Sequence, residues 1–341
     1  MKRYFAENGR GLNANQIEAI KFADAQAGNF LHGVLRELKK PDAEIFMGIR
    51  NGYFNLYLGG ASIGKFNFEG ARIASVEIHK KYLGENSSGY VILPVENSAY
   101  DFKKICENIK ALNLKNPEKQ LQQRLVMANN AAKNSAWYCV DMEYAMQRQN
   151  KFEADFGRAD IIAISRRPVA GKYKLLMIEL KIGSGSFGTN AKYFPQKKLT
   201  ASELLSSNES FGSGIFGHFA DFVRYAADKN YDCGGGYSGR FTKLRGEAVN
   251  ILENYSALGI LPDLNLTLED IFEEPTLVFL IYGSVERSFR NYVCGKSERA
   301  IVKACDENFV AEVFRLSIKC VFRDEDFIFR DEGISDAARI F

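Results

Sequence analysis

The chain has 341 residues, of which 46% are apolar, 26% are charged and 13% are aromatic. This balance is typical of a folded globular protein and excludes disordered, collagen-like and mucin-like chains. The 45 basic and 42 acidic residues leave a net charge of +3, which does not by itself indicate a nucleic-acid-binding protein. No apolar run approaches the roughly 18 residues of a membrane-spanning helix, and residues 1–16 lack the apolar core of a signal peptide. We therefore expect neither a membrane-spanning nor a conventionally secreted protein.

The six cysteines lie far apart in the sequence and form no CxxC pair, which is typical of reduced thiols and predicts a cytoplasmic location. The positive charge is concentrated in the middle of the chain, where residues 145–200 contain 11 Lys or Arg against 4 Asp or Glu. Basic residues that merely cover a solvated surface would produce the same excess. The charge therefore supports a functional assignment only together with motifs.

Two kinds of secondary structure are predicted before residue 94. Apolar residues at helical spacing between Asn15 and Lys40, followed by Pro41, predict one long or broken helix. Residues 44–93 are rich in Ile, Phe, Tyr and Leu and are interrupted by Asn-Gly and Gly-Gly pairs, which predicts an antiparallel sheet. Its aromatic and basic residues would suit a sheet that only packs or one that binds nucleic acid, and packing is the simpler interpretation.

A polar stretch after Pro94 predicts a boundary, so we divide the chain into an N-terminal α+β module, residues 1–112, and a second domain, residues 113–341. The second part opens with Asn116-Pro117-Glu118, a helix start in which Asn is the cap and Pro occupies the first turn. Three strands, a helix and two further strands are predicted after it. They span residues 136–146, 158–165, 172–182, 215–228, 276–283 and 317–322. The predicted class is α/β, with a mixed sheet flanked by helices in α-β-β-β-α-β order.

Three chemically useful side chains fall near one end of the second and third of these strands. Side chains alternate along a strand, so Glu179 and Lys181 share a face while Leu180 points the other way. Asp160 begins the preceding strand, and the turn at residues 166–171 is short enough for an antiparallel hairpin. That pairing can bring Asp160 beside Glu179.

Two carboxylates and an amine in this arrangement suit metal-dependent hydrolysis. Mg²⁺ prefers oxygen ligands and retains several waters, so Asp160, Glu179 and the main-chain carbonyl of Leu180 would form a natural site. The ion would polarise a phosphodiester and lower the pKa of a bound water. Lys181 would stabilise developing negative charge or, with a lowered pKa, help to remove a proton. We therefore expect Mg²⁺ or Mn²⁺ as cofactor and an activated water as nucleophile, without a covalent enzyme intermediate.

The preceding helix, the strand led by Asp160 and the hydrophobic strand that ends in Glu-Leu-Lys resemble the PD-(D/E)XK nuclease superfamily, the fold of many restriction and repair endonucleases. The resemblance covers residues 116–230, about a third of the chain. It implies a restriction-endonuclease-like core, with Asp160 and Glu179 as metal ligands and Lys181 as the catalytic lysine. Ala159 stands where the motif's name has proline, a departure that the superfamily tolerates.

Further polar residues are candidates for the same site. The superfamily often adds a glutamate from the first helix, and Glu118 would fill that role, although the helix dipole explains an acidic residue there equally well. Glu143 could face the same cleft or lie on a solvated face of the sheet. His218, Asp221 and Tyr225 recur at i, i+3 and i+7, so they form one polar helix face that would contact phosphate or simply be solvated.

The segment Gly183–Gly188 reads G-x-G-x-x-G directly after a strand, a pattern shared with nucleotide-binding loops. A dinucleotide fold needs a helix immediately afterwards, and the residues before Pro195 do not supply one. We interpret the loop as a flexible rim of the cleft and Lys192, Lys197 and Lys198 as candidate phosphate contacts. Zinc sites and Ser-His-Asp hydrolases are excluded, because ligand spacings and a G-x-S-x-G elbow are missing from the sequence.

The combined prediction is a cytoplasmic nuclease that acts on nucleic acid, DNA rather than RNA, in bacterial defence or DNA repair. Two alternatives stay open. The fold could bind nucleic acid or mediate assembly without turnover, or the Gly183 loop could serve a nucleotide-binding enzyme. Cleavage of both strands of a duplex would suggest a homodimer, which the sequence does not demonstrate.

Overall fold

The computed structural model of this protein describes residues 4–5, 9–85, 87–96, 101–112, 116–146, 157–182, 215–282, 317–323 and 327–330. Residue contacts divide the chain into two compact units. Unit 1 comprises Met1–Lys133, Cys139–Asp141 and Gly246–Leu268, and unit 2 comprises Asn134–Tyr138, Met142–Arg245 and Glu269–Phe341. The domain boundary at residue 112 stays a prediction. Within the described ranges no helix is long and apolar enough to cross a membrane.

The described helices and strands alternate in the manner of a mixed α/β protein, which confirms the fold class at that level. The helices are α1 (Ala14–Ala25), α2 (Val34–Leu38), α3 (Phe102–Ala111), α4 (Pro117–Ala131), α5 (Ile215–Ala227) and α6 (Arg240–Ala257). The strands are β1 (Ile45–Ile49), β2 (Tyr53–Leu58), β3 (Ala61–Glu69), β4 (Arg72–His79), β5 (Tyr90–Pro94), β6 (Trp137–Ala145), β7 (Arg158–Ser165), β8 (Leu175–Ile182), β9 (Asp232–Gly234), β10 (Tyr237–Ser238), β11 (Thr276–Tyr282) and β12 (Ser317–Arg323). The first predicted helix is broken into α1 and α2, and a capping box between Asn13 and Gln16 starts α1.

Strands β1 to β5 pair antiparallel in chain order, which confirms the predicted antiparallel sheet of unit 1. Phe54, Phe66 and Val76 lie opposite one another on its buried face. The rings of Phe54 and Phe66 stack with 4.7 Å between centroids, and Phe30 packs 5.8 Å from Phe66. Cross-strand aromatic and β-branched pairs of this kind stabilise a sheet. This face therefore uses its aromatic residues for packing.

Helix α4 begins where the sequence predicts it but buries a different face. Asn116 accepts a hydrogen bond from the Lys119 N–H at 3.1 Å, as the cap assignment requires. The sequence predicts Leu121, Leu125 and Ala132 on the inner face of this helix, but only Leu125 is buried, and Leu121 and Ala132 are half-buried. Besides Leu125 and Val126, the buried positions of this helix are polar, namely Gln122, Gln123 and Asn129.

The buried Gln123 side chain joins α4 to the sheet of unit 1. Its amide nitrogen donates to the carbonyls of Glu44 (2.6 Å) and Tyr57 (3.1 Å), and its oxygen accepts the Gly60 N–H (2.7 Å). Buried polar groups are tolerated when their hydrogen bonds are satisfied. Hydrophobic periodicity cannot identify such a position, because the residue is buried for its hydrogen bonds.

Helix α6 is absent from the elements predicted above, although it is the longest described helix, with 18 residues. Its polar side chains hold the N-terminal segment of unit 1. Asn250 bonds both the N–H and the C=O of Tyr4, at 2.8 and 2.7 Å. Asn254 bonds both the N–H and the C=O of Leu12, at 2.7 and 3.0 Å. These amides are buried beside an apolar stripe at helical spacing, which comprises Phe241, Leu244, Ala248, Ile251 and Tyr255.

We expect Asn254→Ala to destabilise the protein by about 2–4 kcal/mol, because it leaves the buried N–H and C=O of Leu12 without their partner. The urea midpoint followed by circular dichroism measures this change. The matched control is Asn230→Ala, which changes an exposed asparagine and should leave the midpoint nearly unchanged. Equal urea midpoints for the two variants would contradict the stabilising role of the Asn254 hydrogen bonds.

Unit 1 also contains a buried ion-pair network centred on Asp141. Arg10 donates to Asp141 Oδ2, and Arg50 donates to Oδ1 at 2.5 Å. Arg50 also donates to the Tyr57 hydroxyl at 3.2 Å, and the Arg10 N–H donates to Glu247 at 3.0 Å. Burial lowers the pKa of the Arg50 guanidinium, but Asp141 and Tyr57 raise it by more, so the net pKa lies above its ordinary value. Asp141 therefore compensates two buried cations.

Unit 2 is built around a mixed sheet whose strand order is β12-β11-β8-β7-β6. Strands β7 and β8 are antiparallel, whereas β11 is parallel to both β8 and β12. The β7–β8 hairpin closes at Val169 and Lys172, whose main chains exchange hydrogen bonds of 2.7 and 3.2 Å. Ala170 and Gly171 between them both have positive φ, as a two-residue hairpin turn requires. The predicted strands and hairpin are thus confirmed.

Among the described residues, Cys106, Cys139 and Cys233 are free cysteines. Burial raises the pKa of the Cys106 thiol to about 12, more than the nearby Lys110 lowers it. We expect iodoacetamide to modify Cys106 on the order of 10³-fold more slowly than an unperturbed thiol, with a rate that still rises with pH at pH 10. Peptide mass spectrometry of native and urea-unfolded protein measures this ratio. Equal labelling rates in the two states would contradict it.

Candidate active site

The β7–β8 hairpin brings the predicted site residues to one end of the sheet of unit 2. The paired residues run from Ile164 and Leu175 to Ile161 and Ile178, so the next step along both strands places Asp160 opposite Glu179. Directly opposed residues of an antiparallel pair point to the same face. Asp160 and Glu179 therefore share a face, as the sequence predicts.

These side chains are withdrawn from solvent. The exposed fraction is 9% for Asp160, 2% for Glu179 and 6% for Lys181. Glu179 and Lys181 are therefore not simply solvated side chains at the end of a strand. Buried charged groups are uncommon unless they are paired or functional.

The hydrogen bonds at this end tie the three residues to β8. The Leu180 N–H donates to Asp160 Oδ2 at 2.7 Å, so the carboxylate of β7 is held by the main chain of β8. The Lys181 ammonium donates to Glu179 Oε1. On the other side of β8, the parallel strand β11 places Phe279 beside Glu179 and Ile281 beside Lys181. Glu179 and Lys181 of β8 therefore have apolar residues of β11 on one side and the Asp160 carboxylate of β7 on the other.

Helix α5 contributes His218 to the same group. His218 Nε2 lies 3.1 Å from Glu179 Oε1, and its ring meets the Phe222 ring edge-on with 6.5 Å between centroids. Burial, and then the charge of Lys181, lower the pKa of His218 to about 4. The ring is therefore neutral at pH 7, so its contact with Glu179 is not an ion pair. His218 Nδ1 is buried and has no partner within the described ranges.

The remaining polar residues of α5 are buried rather than solvated. Asp221 accepts a hydrogen bond from Arg224 at 2.5 Å, and both side chains are buried. The hydroxyls of Tyr225 and Tyr144 lie 3.2 Å apart. The interpretation of His218, Asp221 and Tyr225 as a solvated face is therefore wrong. The i, i+3, i+7 spacing correctly places these three residues on one face of α5. Whether that face is buried depends on the strands packed against the helix, which the spacing does not report.

Glu143 occupies an unusual backbone conformation in β6. Its φ is 54°, in the left-handed region that non-glycine residues rarely adopt within a strand. Its carboxylate lies 3.8 Å from the Arg158 guanidinium at the start of β7. Asp141, two residues earlier, belongs to the buried network of unit 1. Glu143 thus forms an ion pair with Arg158 of unit 2, a residue that the sequence analysis did not name as a candidate.

The other predicted site residues fall outside the described part of unit 2. Glu118 lies in the first turn of α4, is half-buried and belongs to unit 1, whereas Asp160 belongs to unit 2. The Gly183–Gly188 loop and the three candidate phosphate-contacting lysines, Lys192, Lys197 and Lys198, lie outside the described residues.

The donor set can be tested against the predicted metal. Among the described side chains, no group of three or more His, Cys, Asp and Glu residues could hold a metal ion. The predicted ligands, Asp160, Glu179 and the Leu180 carbonyl, would supply two buried carboxylates and one main-chain oxygen. Mg²⁺ is commonly bound through one or two carboxylates while it keeps several waters, so this set fits a hard, oxygen-ligated cation.

Comparison of the chain with family models, with curated proteins and with solved structures gave no match. The chemistry of the site is therefore inferred from its own residues and geometry.

Proposed function

We propose that this protein is a Mg²⁺- or Mn²⁺-dependent nuclease with a restriction-endonuclease-like core, acting on DNA rather than RNA. The observation that carries the proposal is the burial of Asp160, Glu179 and Lys181 at one end of the β7–β8 hairpin. Two buried carboxylates on one face, with an ammonium group on one of them, suit catalysis at a phosphodiester better than a structural role.

The order of elements along the chain supports the same fold assignment. Helix α4, strands β6, β7 and β8, helix α5 and strand β11 follow one another in α-β-β-β-α-β order, with β9, β10 and α6 inserted before β11. Strand β11 lies parallel to β8 and next to it, so the chain crosses over between them through the helical segment.

Each residue of the site has a task in the proposed hydrolysis. Asp160 and Glu179 would hold the metal ion, which when bound polarises the phosphodiester and lowers the pKa of a water. Asp160 is oriented for this by the Leu180 N–H, and Glu179 by His218. Lys181, whose side chain is 7% exposed, would supply an ammonium group that stabilises negative charge on the phosphate. The water oxygen would bond to phosphorus and release one proton to solvent, the bridging P–O bond would break, and the leaving oxygen would take up a proton from solvent.

The test is cleavage of labelled linear, circular and single-stranded DNA, and of RNA, in Mg²⁺, Mn²⁺ or EDTA. We expect metal-dependent products from the wild type and loss of at least 10²-fold in rate for Asp160→Asn. The control Asp42→Asn makes the same chemical change at an exposed position of unit 1 and should cleave normally. A folded wild type that cuts no substrate with either metal would overturn the proposal, and retained nucleic-acid binding would then favour a silent binding module.

A further inference from the structure

Strand β5 forms one edge of the sheet of unit 1 and exposes two large apolar side chains. Within the described ranges β5 pairs only with β4. Ile92 is 68% exposed and Tyr90 65%, the two highest values among the large apolar side chains of the described chain. Both point to the same side of the sheet, because they are two residues apart on one strand. An apolar, uncharged edge strand of this kind is a site for pairing with another strand.

The hydrogen bonding of β5 shows which main-chain groups point away from β4. The Lys80 N–H donates to the Gly89 carbonyl at 3.0 Å, and Lys80 and Gly89 continue the β4–β5 register. Since residues of an antiparallel pair alternate between facing the neighbour and facing away, Val91 and Leu93 bond β4. The N–H and C=O groups of Tyr90 and Ile92 therefore point outward, on the free side of the strand.

Pro94 limits the ways in which another strand could pair with this edge. By the same alternation its nitrogen points outward, where the missing N–H costs the bonding to β4 nothing. The outward donors of β5 are then those of Tyr90 and Ile92. A partner strand is bonded most fully in the register that uses these two residues.

We propose that β5 is a homodimer interface, at which two copies of this chain pair antiparallel about a two-fold axis at Val91. In this register Tyr90 lies opposite Ile92 of the second copy, and Ile92 opposite its Tyr90. The N–H groups of Tyr90 and Ile92 each donate to a carbonyl of the second copy. The side chain of Tyr90 packs against that of Ile92 from the other copy, which forms an aromatic and β-branched pair. The two sheets join into one continuous sheet. This inference does not depend on the proposed nuclease activity.

Charge at the two ends of β5 favours the antiparallel arrangement of a second copy. The end before the strand carries a net positive charge from Lys80, Lys81 and Glu85, and the end after it a net negative charge from Glu69, Arg72 and Glu96. An antiparallel copy brings unlike ends together, whereas a parallel copy would bring like ends together. A five-residue edge buries less than a standard interface, so we expect a dissociation constant on the order of micromolar or weaker.

Sedimentation equilibrium of the full chain, from about 1 μM to several hundred μM, tests the dimer. We expect the wild type to dimerise and Ile92→Lys to weaken association at least tenfold, because it adds a charge to each side of the interface. The control Phe22→Lys makes a matched change at another exposed apolar residue, 60% exposed on α1, and should dimerise like the wild type. A wild type that stays monomeric, or an Ile92→Lys variant that dimerises normally, would overturn the proposal.

Cysteine cross-linking tests the register separately from the affinity. Val91 lies opposite its own copy in a non-hydrogen-bonded pair, where the two Cα atoms are about 4.5 Å apart and a disulfide can form. Val91→Cys should therefore yield a reducible covalent dimer that the wild type does not form. Leu93→Cys is the control, because the two Cα atoms would be about 13 Å apart in this register. Equal cross-linking of the two variants, or none at Val91→Cys, would refute the pairing.

Discussion

Replacing Lys181 with methionine is expected to lower the metal-dependent cleavage rate by about 10²–10⁴-fold. The substitution removes the ammonium group that donates to Glu179 Oε1 while it keeps an unbranched side chain at a position that is 6% exposed. The carboxylates of Asp160 and Glu179 are unchanged, so Mg²⁺ binding measured by calorimetry should be retained. Rate loss with retained metal binding would distinguish a catalytic role from a structural one.

The matched control for this variant is Lys174→Met. Lys174 precedes β8, is half-buried and lies at the other end of the hairpin from Glu179. Its replacement makes the same chemical change in the same hairpin and should leave the cleavage rate nearly unchanged. If Lys181→Met cleaves within threefold of the wild type, Lys181 is not catalytic, although the carboxylates could still hold the metal.

Replacing Asp141 with alanine is expected to lower the free energy of unfolding by about 3–5 kcal/mol. Its carboxylate, 1% exposed, accepts hydrogen bonds from both Arg10 and Arg50. Removing it takes the compensating charge from the buried Arg50 guanidinium and leaves the buried Arg10 guanidinium only the Glu247 carboxylate, 4.0 Å away. Uncompensated buried charge is more destabilising than the loss of an exposed ion pair. Urea unfolding followed by circular dichroism gives the change.

Two further variants separate this explanation from a general effect of truncation. Arg50→Met in the Asp141→Ala background should recover part of the loss, because it removes one of the two buried cations that Asp141 compensates. Asp42→Ala deletes an exposed carboxylate and should leave the urea midpoint unchanged. A double variant no more stable than Asp141→Ala would contradict the assignment of the loss to buried charge.

Local pattern was sufficient for much of the architecture. Alternation and turn residues predicted the antiparallel sheet of unit 1, and the bounds of β7, Arg158–Ser165, agree with the prediction residue for residue. Helix α5 ends one residue before the predicted end. These elements were predictable because their apolar residues recur at the period of the structure they form, and because the turn between β7 and β8 contains the residues that a tight hairpin needs.

Helix α6 has an apolar stripe at helical spacing that could have predicted it, but periodicity could not predict the burial of Glu247, Asn250 and Asn254 in the same helix. Their burial is explained by hydrogen bonds to a segment more than 230 residues away in sequence. Gln123 of α4 is a second example, since its partners are three main-chain groups of the sheet. Periodicity reports the transfer of apolar surface from water and contains no information on such distant partners.

For the candidate site, sequence alone determined that Glu179 and Lys181 share a face of β8 and that a hairpin can bring Asp160 beside them, because strand alternation and turn length are local properties. Only the tertiary structure decided that the three side chains are buried and that His218 of α5 contacts Glu179. Burial and contact with α5 depend on how the helix and β11 pack against β8, which no short stretch of sequence specifies. The same packing, by excluding water, lowers the pKa of His218 and leaves the ring neutral beside the carboxylate.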